Sequence, residues 1–477
     1  SSLDATLCHE GNTRFGESHR WGLFYALSGR WNISDESWME PTKKWLSMFA
    51  VRFGWGVTGN QPPKADTHYS VYNVDGKYIN SIGMRPGNIR LTDLRWEQVM
   101  DWNLGWNIGL FNDLLTADIN LYSKQTSDLF TNDPKIPSTS GFTSLPTENG
   151  GDMKNQGYEI NLSLNRVKIA GDLSATFNLT FANNRNTITA MDPVRLAAIN
   201  GTGVNVPDNG EYMTRVLLNN PFGALYGLRY KGVYAYSYDH FDQAQAEGAT
   251  CPVARDANGN VIYGPDGTPM QMYYNYTQTK YAFKGGDAIY EDINHDGSID
   301  HYDVVYLGSS LPKLTGGFGF RLYYKGWSLN AQFNYRYGNK IANVARMNAE
   351  KMHGSENQST AVNYRWRKEG DGADGSHVLP RALYGAGYNW LGSDRFVEDA
   401  SFMRLNYLSL GYSLDPKLLR RIGVASLSIN LNASNLFCLT NYSGADPEVG
   451  YGGMGVATDG AKTPRSRQFT ARVQIGF

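Results

Sequence analysis

The densest set of groups able to do chemistry lies in the run DINHDGSIDHYD, from Asp292 to Asp303. Oxygen-bearing side chains fall at its first, third, fifth, seventh, ninth and twelfth positions: Asp292, Asn294, Asp296, Ser298, Asp300 and Asp303. That spacing lets them converge on a hard cation, and Gly297 at the sixth position permits the sharp turn of a calcium loop. The run departs from the standard loop at its end, where Asp303 replaces a longer, bidentate glutamate. The competing reading is a solvated acidic turn that caps its own backbone N–H groups. A Ca2+ ion held here would be structural, and no organic cofactor is expected. No HExxH, GxSxG, GxxxxGK[ST] or GxGxxG fingerprint survives inspection, so the sequence does not read as an enzyme. Aromatic rings supply the other candidate chemistry. Tyr69, Tyr72, Tyr384, Tyr388 and Trp390 lie in aperiodic stretches beside Asn, Asp and Arg. Such rings suit stacking on sugars or packing on a protein partner; the alternative is packing of loops on one another.

These groups need a scaffold, and the period of the chain is two nearly everywhere. Leu173, Ala175, Phe177, Leu179 and Phe181 share one face, while Ser174, Thr176, Asn178 and Thr180 share the other. The same alternation runs from Trp102 to Leu110, from Trp327 to Arg336, from Leu427 to Ser434 and from Phe469 to Phe477. Strands are expected near 3–9, 21–32, 46–59, 94–110, 115–130, 155–169, 172–188, 313–325, 327–338, 402–414, 426–438 and 467–477. A sandwich strand also alternates. Length separates the two cases: these runs approach the 9–11 residues that cross a bilayer, against about 5–6 for soluble strands. Trp31, Trp55, Trp102, Trp327, Tyr335, Tyr337 and Phe477 sit near strand ends, where an apolar ring with a hydrated N–H or O–H suits a membrane boundary. The long connections, 60–93, 131–154, 189–312, 339–401 and 439–466, all fall on one side, as in bacterial barrels. The fold class is therefore read as all-β, a transmembrane antiparallel β-barrel. Its ring-bearing faces should meet hydrocarbon and its amide-bearing faces a hydrated lumen. Phe177, Leu179 and Phe181 should point to lipid, with Thr176 and Asn178 turned inward.

Composition removes other classes. Lys and Arg number 44 against 45 Asp and Glu, a net charge of −1, which argues against nucleic acid as a partner. No run of about 18 apolar residues could form a transmembrane helix. The opening Ser1-Ser2-Leu3-Asp4 lacks a signal peptide, and the strand count favours a fragment. Cys8, Cys251 and Cys438 are too scattered for a disulfide framework and read as isolated thiols. The segment 189–312 is too long for a plain loop. It reads as an extracellular elaboration, with strand over Phe222–Tyr236 and a surface insertion over 237–285. One short helix is expected within 339–355.

Several stretches, in order along the chain, resemble SusC-like (SusC/RagA) TonB-dependent outer-membrane transporters. They are GNTRFG (11–16), RFGWGVTGNQP (52–62), LRWEQ (94–98), NQGYE (155–159), GDAIYEDINHDGSIDHYD (286–303), DASFMRLNYLSLG (399–411), Asn435-Leu436-Phe437 and YSGADPE (442–448). The resemblance implies a 22-stranded barrel of which residues 1–477 form the C-terminal twelve strands. It implies that the plug domain, the TonB-binding motif and the first ten strands lie outside this sequence. It also implies a SusD-like surface lipoprotein as lid, TonB as energy source, extracellular long loops, a periplasmic C-terminus, and Phe477 as the residue read by the assembly machinery. The acidic loop belongs to the family pattern. The expected function is active import of a nutrient, an oligosaccharide before a peptide. The rivals are a passive porin and a soluble all-β glycan-binding protein. A half barrel leaves edges unpaired in lipid, so strands 3–9 and 467–477 are expected to pair with a companion segment.

Overall fold

Alternating residues give each strand one apolar and one polar side, and twelve such strands join edge to edge in one antiparallel sheet. In chain order they are β1 (Ser2–Gly11), β2 (Trp21–Asn32), β3 (Leu46–Asn60), β4 (Glu97–Leu110), β5 (Leu115–Ser127), β6 (Asp152–Ala170), β7 (Leu173–Ala190), β8 (Leu314–Tyr324), β9 (Trp327–Tyr337), β10 (Phe402–Ser413), β11 (Ser426–Thr440) and β12 (Gln468–Gly476). The computed structural model describes residues 1–477 except 63–67, 80, 133–135, 137, 143, 194–195, 197–211, 213–215, 277–278, 377, 420–422 and 451–455. Each strand pairs with its neighbours in sequence, and all twelve expected strands are present. The sheet stays open. β1 pairs with β2 and β12 with β11, and the two outer edges do not meet.

Register makes each face continuous from strand to strand. Phe177 faces Phe320 and Leu164; Leu179 faces Phe318, which in turn faces Phe333. Phe318 and Phe333 stack at 4.5 Å between ring centres. This side is exposed although apolar: Phe177 is 40% accessible, Leu431 53% and Val473 60%. A soluble core would hide such residues, and a hydrocarbon medium would not. Ring pairs mark the strand ends, as where Trp327 meets Tyr412 at 4.6 Å and Trp55 lies opposite Trp102.

The two ends of the sheet differ. One end carries tight turns. Phe111, Asn112 and Asp113 all take positive φ in the β4–β5 turn. The two-residue β8–β9 turn is Lys325-Gly326, at φ 43 and 87, the left-handed pair that matches strand twist. The other end carries the long connections, including 61–96, 128–151, 191–313, 338–401 and 441–467.

Boundaries shift where tertiary packing overrides periodicity. The strand expected from 94 starts at Glu97, because Leu94 and Trp96 turn into a buried cluster at 3% and 6% accessibility. The strand expected to 130 ends at Ser127, and Asp128 follows at φ 58. In place of one strand over 222–236 there are two, Ala224–Gly227 and Tyr230–Val233. The helix expected within 339–355 is Val344–Glu350, preceded by a short strand Lys340–Asn343.

The region between β7 and β8 is more than a surface insertion, because it has a core, completed by the β9–β10 connection. Tyr274, Phe283, Ala288 and Ile299 are fully buried there, with Leu391 from that connection. Its neck is closed by pairing of Ala224–Gly227 with Val305–Ser309. Part of the expected 189–312 elaboration, notably 197–211, lies outside the described residues.

Candidate functional site

Two surfaces offer chemistry: the polar face of the sheet, and the loops gathered at its long-loop end. On the polar face, β3, β4 and β5 bring Arg52, Asn107, Asp118 and Asn120 together. Arg52 Nη2 donates to Asp118 Oδ2 and to Asn120 Oδ1, each at 3.0 Å. Asn120 Nδ2 donates to Asp118 Oδ1 at 2.6 Å, and Asn107 also donates to Asp118. Arg52 and Asp118 are each about one-third accessible, so this ion pair is wet and contributes little stability. Farther along, Thr180, Gly317, Asn334 and Arg404 follow one another across β7 to β10. This face thus carries amides, hydroxyls and charges, though Arg404 itself is covered.

The family-like stretches of the sequence meet in space. Phe15 of GNTRFG, Val57 and Gly59 of GVTGNQ, and Leu94 and Trp96 of LRWEQ pack with Phe24 into one cluster. A Cβ on Gly59 would lie 2.3 Å from the Phe24 ring, so only glycine fits there. Arg404, from the RL of β10, clasps the DPE run. Its Nη2 donates to Asp446 Oδ1 at 2.6 Å and its Nε to Glu448 Oε2 at 2.9 Å, with all three side chains at most 5% accessible. Arg465 reaches Glu448 at 3.2 Å. In the insertion, Asp287 is fully buried and accepts from Arg381 Nε at 2.7 Å and from the Tyr281 hydroxyl at 2.7 Å. Burial, then the Asp287 charge, push the Tyr281 hydroxyl well above its ordinary pKa. These contacts fix the fold. Sequence reading missed the Arg404–Asp446–Glu448 and Asp287–Arg381–Tyr281 networks, whose arginines lie 42 and 94 positions from Asp446 and Asp287.

The acidic loop is ordered by its own backbone. Asp303 accepts from the N–H of Ile293 at 2.7 Å and of Asp300 at 2.8 Å. Asp292 accepts from Gly297 and Asp296, Asp296 from Ser298, and Asp300 from Tyr302. Among the described residues no three His, Cys, Asp or Glu side chains converge to hold a metal. As placed, Asp292, Asp296, Asp300 and Asp303 each cap backbone N–H groups of the loop. Asp303 is nonetheless poorly compensated. Burial is the main cause, and the charges of Asp292 and Asp300 add to it; the N–H bonds from Asp300 and Ile293 oppose them, and its pKa is pushed up to about 7.

The loop aromatics divide. Tyr69, Tyr72 and Tyr384 are exposed, Tyr384 at 87%. The other two are less accessible: Tyr388 is partly buried and Trp390 buried, which corrects Trp390 as a ligand contact. Tyr388 stacks on Tyr281 at 4.1 Å and abuts Tyr274 at 5.1 Å. Trp390 is buried with Met347 and Phe396. Trp390 is core beneath the loops, while Tyr388 packs against the edge of the insertion cluster.

Comparison with known proteins fits this geometry. Residues 9–250, half of the chain, match the family described as TonB dependent receptor-like, beta-barrel. The chain is 29% identical to TonB-dependent receptor P39 of Formosa agariphila, over all of this chain and 44% of that protein. It is 26% identical to TonB-dependent receptor SusC of Bacteroides thetaiotaomicron, over 99% of this chain and 42% of SusC. The chain thus spans less than half the length of these relatives. The solved RagAB peptide transporter superposes over the whole chain and 46% of its own, with a TM-score of 0.71 at 24% identity. The sheet shares its fold with that structure, and the chain belongs to the TonB-dependent receptor-like β-barrel family.

Proposed function

We propose that the chain forms the C-terminal half of the wall of an outer-membrane importer energised by TonB. One observation carries the reading. A twelve-stranded meander exposes an unbroken apolar face on one side and a hydrogen-bonding face on the other. A protein in water has no use for the first face, and a sealed core has none for the second. The open edges at β1 and β12 support a barrel completed by further strands, since unpaired N–H and C=O groups cost several kcal/mol each in lipid. On this reading the long connections are extracellular, the C-terminus is periplasmic, and a plug domain fills the lumen. The solute then moves past Arg52, Asn107, Asn334 and Arg336.

The cargo is a nutrient too large to diffuse, an oligosaccharide or a short peptide, captured with a SusD-like surface lipoprotein. Similarity to SusC supports the first cargo and similarity to the RagAB peptide transporter the second. The test is growth and labelled uptake in cells with and without TonB. Loss of uptake without TonB is expected; unchanged uptake would leave a passive pore. Copurification of a lipoprotein with the affinity-tagged full-length protein tests the lid.

A further inference from the structure

The insertion between β7 and β8 contains a crevice that neither the transport path nor the acidic loop accounts for. Its volume is about 620 Å³, inside the ~300–1,000 Å³ range of small-molecule sites. Its floor is apolar and closed. Tyr234, Ala244, Cys251, Val253, Met272 and Tyr290 line it, each at most 5% accessible. Its mouth is polar and open, formed by Lys231, Gln245, Gly248, Arg255 and His295. Asp292 of the acidic loop lies at the edge with both carboxylate oxygens on backbone N–H groups.

Charge at the mouth is uneven. Glu291 is flanked by two cations, Arg229 at 3.0 Å and Lys231 at 3.1 Å, so one carboxylate serves two positive groups. Arg255 gives one N–H to its own turn, at Gly259 O, and its charge also acts on the Cys251 thiol in the floor. A cation therefore looks down on an apolar pit. Sugars bury their faces against exposed rings and need many hydrogen-bond partners. The floor here offers methyls, sulfur and ring edges instead.

We infer that this crevice binds a small amphiphile made of one apolar branch next to a carboxylate, with Arg255 and Lys231 holding the carboxylate and the floor taking the branch. Two sources share this chemistry: the C-terminal residue of a short peptide and a free short-chain acid. The inference rests on the crevice itself and holds whether or not the protein transports.

The test uses the purified full-length protein in detergent, titrated with N-acetyl-L-leucine, N-acetyl-L-leucine amide and hexanoate by saturation-transfer NMR. The acids are expected to bind at least about tenfold tighter than the amide, the size of one charge-assisted hydrogen bond. Arg255→Gln, at an exposed position, should erase most of that preference; Lys231→Gln serves as the second, independent variant. A preference for N-acetyl-L-leucine assigns the peptide end, and a preference for hexanoate the free acid; either upholds the site. Equal binding of acid and amide, or a preference unchanged in both variants, overturns it. Acid binding without TonB-dependent uptake would sink the transport reading alone.

Discussion

In the wall, Phe177 stands 40% accessible on one face while, on the other, Asn107 and Arg52 bond to Asp118. In the insertion, Tyr274 and Phe283 are fully buried while Lys231, Lys280 and Lys284 are exposed. The same alphabet of residues is arranged in opposite senses. The wall gains stability from a ladder of backbone hydrogen bonds shared between strands, and its side chains match the media on either side. The insertion gains it from a small apolar core, as a water-soluble protein does. Buried ion pairs of Arg404 with Asp446 and Glu448 tie the wall to a third region, the β11–β12 connection. A single chain can thus carry two folding logics, provided each is continuous within its own region.

The contrast can be broken at several points. The largest effect is expected where Arg404 ties the wall to the β11–β12 connection. Arg404→Ala leaves the buried Asp446 without its arginine and Glu448 on Arg465, and should cost about 3–5 kcal/mol, read as loss of the heat-modifiable band on gels or a lower urea midpoint. Next is the insertion core. Phe283→Ala should cost about 3–5 kcal/mol locally. It should speed proteolysis and hydrogen exchange over 224–309 while leaving exchange in β4–β6 unchanged. Loss of protection in both regions would mean that they form one unit. A smaller effect is expected in the wall. Phe177→Arg, on the apolar face, should cost about 2–4 kcal/mol in lipid. Asn178→Arg, one residue on, should stay within about 0.5 kcal/mol. The reverse order would mean that the faces have been assigned the wrong way round.

The smallest effect concerns Asp303. Its folded pKa of about 7 lies above the ordinary 3.8, so the folded loop keeps a proton that the unfolded chain releases. The stability it confers is complete below about pH 4 and is lost as pH rises through 7. Amide exchange at Ile293 and Asp300, corrected for intrinsic rates, should therefore quicken between about pH 4 and pH 7 and level off above it. Erasure of that response by millimolar calcium would restore a cation to this loop.

Legibility followed the same division. The twelve wall strands were readable because every residue there faces one of two uniform media, which writes a period of two into the chain. Even the ends erred only where residues such as Trp96 left the wall for a cluster. The insertion wrote no period. Asp287 meets Arg381 across 94 positions, and Tyr388 finds Tyr281 across a similar gap. No local spacing encodes such meetings, so Trp390 looked available for ligands when it was core, and the stacking of Tyr388 on Tyr281 went unseen. The acidic loop shows a third case. Its spacing was readable, but the direction of each carboxylate depended on which backbone N–H lay nearest.

The neck of the insertion bears on how the wall assembles. Leu164 meets Phe177 across 13 positions, but Phe177 meets Phe320 across 143. Closing the longer loop costs about 2 kcal/mol more chain entropy. Pairing of Ala224–Gly227 with Val305–Ser309 cancels much of that gap, because it draws the start of β8 back towards the end of β7 before the two strands touch. The insertion then works as a splint during zippering, and a chain whose neck is loosened should insert into membranes more slowly even where its finished barrel is equally stable.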